Sequence, residues 1–157
     1  MRVALTYLGD KRFEAETSKS SYILDCKEIT PVEYFATGLI GCTGIDLVTF
    51  AEKDGYAVRN YEVSADIERQ TTVPMKFASV HITYRFDGSF DALKAKRYIL
   101  SSLESYCTTV NSIRDGVKVS YTIVYNGETL AERERIRSGN ASGEALFDDG
   151  FGGACCS

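Results

Sequence analysis

The clearest periodicity lies mid-chain, where Tyr61, Val63, Ala65 and Ile67 alternate with Glu62, Ser64, Asp66 and Glu68. The same period of two recurs over Val80–Phe86 and Val117–Ile123. Strict alternation buries one face and wets the other, so these three segments predict strands of an antiparallel sheet. Shorter β-prone runs, Arg2–Leu8, Arg12–Glu16 and Ser21–Leu24, are separated by turn signals such as Gly9-Asp10-Lys11 and predict a meander. Two segments switch to helical spacing. Thr30-Pro31-Val32-Glu33 reads as a helix start: Thr30 caps, Pro31 suits the first helical position and Glu33 completes a capping box. That helix is expected to run to about Lys53, ahead of Asp54-Gly55. Its apolar residues (Tyr34, Phe35, Leu39, Ile40, Ile45, Leu47, Val48, Phe50) lie on nearly every side, which predicts burial all round. Gly38, Gly41 and Gly44 recur every third residue, and each costs about 1 kcal/mol relative to Ala inside a helix, so a close backbone approach is expected there. A second helix is predicted over Ala92–Tyr106, capped by Ser89, with Leu93, Ile99, Leu100, Leu103 and Tyr106 inward.

The order is strands, helix, strand pair, helix, strand, so the fold class is α+β with two helices on an antiparallel sheet. After Asn126-Gly127 the pattern fades; Glu128–Arg137 is charged and reads as a helical extension, and Gly139–Ser157 as a tail.

Composition narrows the function. The 157 residues are 44% hydrophobic and 25% charged with 2 Pro, which excludes a disordered or collagen-like chain. A net charge of -4 argues against a nucleic-acid-binding domain. The apolar run at the N-terminus is too short for a signal peptide, and Tyr34–Phe50 reads as too short and too polar to span a membrane, so no membrane partner is expected. Five Cys stand against one His, an odd number without a repeated spacing. Thiols in a reducing cytoplasm fit that count better than a secreted disulfide framework.

The cysteines Cys42 and Cys107 carry the candidate chemistry. Their settings are Thr30-Pro31-Val32-Glu33-Tyr34-Phe35-Ala36-Thr37-Gly38-Leu39-Ile40-Gly41-Cys42, with Asp46 four residues on, and Tyr106-Cys107-Thr108-Thr109-Val110. In these motifs, and in the order of elements around them, the sequence resembles the OsmC/Ohr family over roughly residues 1–125. The resemblance implies an OsmC-like domain over 1–126, followed by a charged extension and Gly/Cys-rich tail over 127–157. It implies an antiparallel sheet wrapped on two central helices in an intertwined homodimer, with sites at the subunit interface. It further implies reduction of organic hydroperoxides by two cysteines, without metal or flavin, and with an external dithiol as reductant. By motif position Cys42 corresponds to the peroxidatic cysteine and Cys107 to the resolving one. The chemistry is coherent: a thiolate attacks the peroxide, and the sulfenic acid condenses with a nearby thiol before it can over-oxidise.

Three positions depart from the peroxidase branch of that family. The branch carries a Glu ten residues before the peroxidatic Cys; here that position is Val32, and Glu33 is nine before. One residue is a rotation of about 100° on a helix, so Glu33 is both the candidate third catalytic residue and a capping-box side chain. The branch also supplies an Arg from an N-terminal strand, for which Arg2 and Arg12 are the nearest residues, and a Pro after the second Cys, where Thr108 stands. The alternative function is a non-enzymatic dimer that binds a small apolar ligand. Cys42 and Cys107 can each also be read as plain core residues. Cys26 reads as incidental, and His81 as a solvent-face or interface side chain. Asp46 needs a buried partner, or else tunes Cys42 from one turn away. Cys155 and Cys156 form a vicinal pair that can carry electrons or bind a soft metal ion, or else lie on a plain tail.

Overall fold

Two hairpins show how locally this chain is instructed. Asp10 and Lys11 both adopt positive φ (54° and 59°), as do Asn126 and Gly127 (49° and 82°), the backbone of the tight turn that matches strand twist. The first turns β1 (Val3–Gly9) onto β2 (Arg12–Thr17), and the second turns β6 (Lys118–Tyr125) onto β7 (Glu128–Arg135). These observations come from a computed structural model that describes residues 1–137; Cys155 and Cys156 lie outside the described residues. The chain divides into two units, Met1–Gly38 and Leu39 onward.

The first unit is a meander of β1, β2 and β3 (Ser21–Asp25), antiparallel and paired in that order. Pairing puts Leu5, Ala15 and Tyr22 in one cross-strand row and Tyr7, Phe13 and Leu24 in the next, so one face is apolar. Only Ala15 on that face is fully buried; Val3, Leu5, Tyr7 and Tyr22 are about half exposed. The unit ends with the first turns of α1 (Pro31–Lys53).

The second unit contains the rest of α1 and a four-stranded sheet, β4 (Arg59–Arg69), β5 (Phe77–Asp87), β6 and β7, paired in that order. The expected purely antiparallel sheet is corrected here: β5 and β6 run parallel, from Ser79↔Lys118 to Phe86↔Tyr125. Parallel neighbours need a crossover, and α2 (Ala92–Ser101), a π-helical turn (Ser102–Tyr106) and α3 (Thr108–Ile113) supply it. The expected helical extension is also corrected, because Glu128–Arg135 is β7, antiparallel to β6. The core gathers Leu39, Leu47 and Phe50 from α1, Val80, Ile82 and Tyr84 from β5, Ile99 and Leu103 from the crossover, and Ile123 from β6. An aromatic cluster closes one end: Phe90 lies 5.2 Å from Tyr125 and 5.4 Å from Tyr98, ring centre to ring centre.

Other expectations change as well. Asp91, not Ser89, caps α2, accepting the Lys94 N–H at 2.8 Å. Leu93, expected inward, points outward in the first turn of α2 and is 80% exposed. α1 is not buried all round. Phe35 and Ile45 are about half exposed, and added Cβ atoms at Gly38 and Gly41 would meet nothing within 4 Å. Only Gly44 makes the expected close approach: an added Cβ would come within 3.1 Å of Val63 Cγ1. At 23 residues α1 is long and apolar enough to cross a bilayer by length and composition, a test that core helices also pass. Its buried Asp46 and its Leu47 and Phe50 contacts mark it as a core helix of the second unit.

Candidate thiol site

Cys42 lies on the side of α1 that carries Leu39, Thr43, Asp46, Leu47 and Phe50 into the core. Cys107 sits where the crossover helix breaks. The π-helical turn adds a residue to the repeat, and Ser101, Ser102, Leu103 and Glu104 are buried in succession. An ordinary amphipathic helix does not bury four residues in a row; the widened turn rotates Ser102 inward, and such turns recur at functional sites. At Cys107 the backbone turns extended (φ −70°, ψ 100°), and its N–H closes the turn on the Ser102 carbonyl at 2.8 Å.

The fold brings Cys42 and Cys107 together. Both are reduced and buried, and their side chains are within hydrogen-bonding reach of one another. Burial pushes the Cys107 thiol up to about 12, and Cys42 adds to the rise; the Thr109 hydroxyl and the Val110 N–H oppose it. Cys107 is therefore a neutral thiol at physiological pH. Thr109 Oγ1 lies 3.3 Å from its sulfur and donates to the Leu39 carbonyl at 3.2 Å, tying α3 to α1.

A buried chain of hydroxyls runs beside the pair. Ser102 Oγ donates to Asp46 Oδ2 at 2.6 Å. With its single proton so used, Ser102 must accept from Thr43 Oγ1 at 2.8 Å, and Thr43 in turn from the Tyr84 phenol at 2.6 Å. Tyr84 is fully buried and its pKa lies well above 10, chiefly through burial, with Tyr61, Cys107 and Asp46 reinforcing the rise against the Thr43 hydrogen bond. The sequence Tyr84→Thr43→Ser102→Asp46 thus gives Oδ2 of this buried carboxylate a donor, which offsets part of the cost of its burial. It also offers a route for moving a proton beside the thiols.

Glu33 is occupied locally. Its carboxylate accepts the Thr30 N–H at 2.8 Å and the Thr30 hydroxyl at 2.6 Å, while Thr30 Oγ1 accepts the Glu33 N–H at 3.3 Å. Those bonds hold its pKa below the usual 4.5. Arg2 and Arg12 are exposed in the first unit, and Cys26 is partly buried after β3. His81 does point away from the core side of β5, yet it is 8% exposed. Nδ1 lies 2.8 Å from Ser120 Oγ and Nε2 3.2 Å from Thr122 Oγ1. Burial and Arg133 depress its pKa, and Asp66 partly offsets them. Sequence reasoning missed Thr43, Tyr84 and Ser102. The usable signal was Ser101-Ser102 on an otherwise apolar helix, opposite a Thr beside Cys42. Among the described residues no group of three or more His, Cys, Asp or Glu is placed to hold a metal ion.

A three-stranded meander, a helix-crossed mixed sheet and a buried thiol pair at the helix junction together define an α+β class of thiol-bearing proteins. The model of the OsmC-like protein family matches residues 24–122, and the chain belongs to that family. No curated protein matches the sequence. Among solved structures, a hypothetical protein from Aquifex aeolicus VF5 is similar with a TM-score of 0.69 at 19% identity, over 80% of this chain and 96% of that one. An OsmC-like protein from Mycoplasma pneumoniae gives 0.67 at 12% identity, over 79% and 95%. The organic hydroperoxide resistance protein OhrB of Bacillus subtilis gives 0.51 at 15% identity, over 78% and 98%. At these identities the likeness establishes the fold.

Proposed function

We infer that the protein reduces organic hydroperoxides through a two-cysteine cycle. The observation that carries this reading is the contact between the Cys42 and Cys107 side chains, brought from α1 and from the break in the crossover into one buried spot. The Cys42 thiolate attacks the distal peroxide oxygen; the O–O bond breaks, Cys42 becomes a sulfenic acid, and the alkoxide takes the thiol's proton to leave as an alcohol. The Cys107 thiol then displaces water from that sulfenic acid, forming a disulfide. An external dithiol returns both sulfurs to thiols. Neither a metal nor a flavin enters this balance. The apolar surroundings favour alkyl over hydrogen peroxide. That the family includes organic hydroperoxide resistance proteins supports the substrate class.

The working form is a homodimer in a reducing cytoplasm. The apolar face of the first sheet and the open stripe of Phe35, Gly38, Gly41 and Ile45 on α1 support this, since both leave apolar surface to be covered. A second reading is a non-enzymatic dimer that holds a small apolar ligand. It is favoured by Glu33, whose carboxylate serves the Thr30 cap. The experiment is consumption of cumene hydroperoxide with a dithiol, comparing wild type with Cys42→Ser. Turnover lost in the variant is expected. An equally negligible rate in both would overturn the enzymatic reading, and an apolar molecule extracted from both proteins would then establish the second.

A further inference from the structure

At the end of the second unit's sheet, where β4 and β7 finish and β5 and β6 begin, there is a cavity of about 470 Å³. Its lining is basic: Arg114, Lys118, Arg135 and Arg137 against Asp115, with Gln70 as a neutral hydrogen-bonding group. The chain as a whole carries a net charge of -4, so this concentration of cations runs against its overall balance. Like charges gathered in a concave space repel one another unless an anion joins them.

The cations are not all consumed by local acids. Glu104 serves Arg114, 4.0 Å away, and accepts the Arg137 N–H at 2.7 Å. Arg114 is further pinned by the Leu103 and Glu104 carbonyls at 3.5 and 3.3 Å, which fixes one guanidinium on the cavity wall. Lys118 and Arg135 have no ion-pair partner among the described residues and are exposed. One positioned guanidinium and two unpaired cations around a space of small-molecule size make a receptor for a compact, multiply charged anion.

We propose that this cavity binds the phosphate groups of a small phosphorylated molecule. The excess of cations over acid in the lining suits a group carrying two or more negative charges better than a single carboxylate, and arginine forks match phosphate oxygens two at a time. All of its lining residues differ from those of the thiol site, so the assignment does not depend on the hydroperoxide reading.

The test is calorimetric titration of the full-length protein with inorganic pyrophosphate and, separately, with ADP, at low and at physiological salt. Saturable one-site binding that weakens with salt is expected. Tighter binding of ADP identifies an organic phosphate ester as the ligand, whereas equal binding identifies the bare phosphate group as the recognised part. Lys118→Ala/Arg135→Ala should weaken pyrophosphate at least about tenfold, the loss of charge-assisted contacts. Arg135→Lys in the Lys118 background should retain most of the binding, and Cys42 alkylation should not change in either variant. No saturation at low salt, an unchanged affinity in the double variant, or preferred binding of a single-stranded oligonucleotide would each overturn the proposal.

Discussion

The two units treat the same kind of sequence differently. In the meander, the alternating residues Val3, Leu5 and Tyr7 form one face of a sheet and remain about half exposed. In the mixed sheet, the alternating residues Val80, Ile82, Tyr84 and Phe86 of β5 are sealed to 2% exposure or less. Alternation therefore specifies a face, and burial of that face depends on what is laid against it. The second unit supplies its own cover through α1 and the crossover helices. The first is too small to build a core from three strands alone, and its apolar face awaits a cover, for which a second copy of the chain is the proposed source.

The largest effect separating the units should come from the second unit's core. Phe50→Ala removes a fully buried ring that lies 5.7 Å from Tyr106 and 6.4 Å from Tyr98. It should cost about 3–5 kcal/mol in urea unfolding; a loss below about 1 kcal/mol would mean this unit is not the stability centre. Leu5→Glu, on the exposed apolar face, should change unfolding at low protein concentration by only about 0.5 kcal/mol. It should nevertheless weaken self-association by about tenfold or more in sedimentation, since a charge is buried without a partner. Unchanged association would remove this face from the proposed dimer.

Two smaller effects sharpen the contrast between a buried and an exposed carboxylate on one helix. Ser102→Ala deprives Asp46 of its 2.6 Å donor inside the core and should cost about 1–3 kcal/mol. Glu33 is exposed, and its folded pKa is depressed below 4.5 by Thr30. Its cap contribution is therefore complete above pH 4.5 and is lost as pH falls through the lowered folded value. The Thr30 amide resonance should shift over that acid range in wild type and not in Glu33→Gln; identical titrations would dissociate the bond from the helix start. Cys107 has the opposite sign: with its thiol pushed up to about 12 from 9, folding is penalised progressively as pH rises through that interval.

Much of this was legible along the chain. The capping box at Thr30–Glu33, the length of α1 and the three alternating strands follow from local patterns and stand in the structure. Cys42 and Cys107, singled out through family resemblance, have side chains within hydrogen-bonding reach of one another. What stayed hidden was set by tertiary contacts. The parallel β5–β6 pair has no local signature, because a strand does not encode its neighbour's direction. The charged run Glu128–Arg135 looked helical by composition, although Asn126-Gly127 ahead of it is a strong hairpin signal. Ser102 faces the core only because a π-helical turn shifts the helical phase, which spacing rules cannot anticipate. The open stripe on α1 escaped notice because an all-apolar helix predicts total burial without saying which molecule provides it.

The central claim is that Cys42 and Cys107 form a working redox pair. Reduced protein should be treated with one equivalent of cumene hydroperoxide, quenched with an alkylating agent and digested for mass spectrometry. The account predicts a peptide pair joined by a Cys42–Cys107 disulfide, absent from Cys42→Ser. Recovery of both cysteines as alkylated thiols after exposure to the hydroperoxide would contradict it.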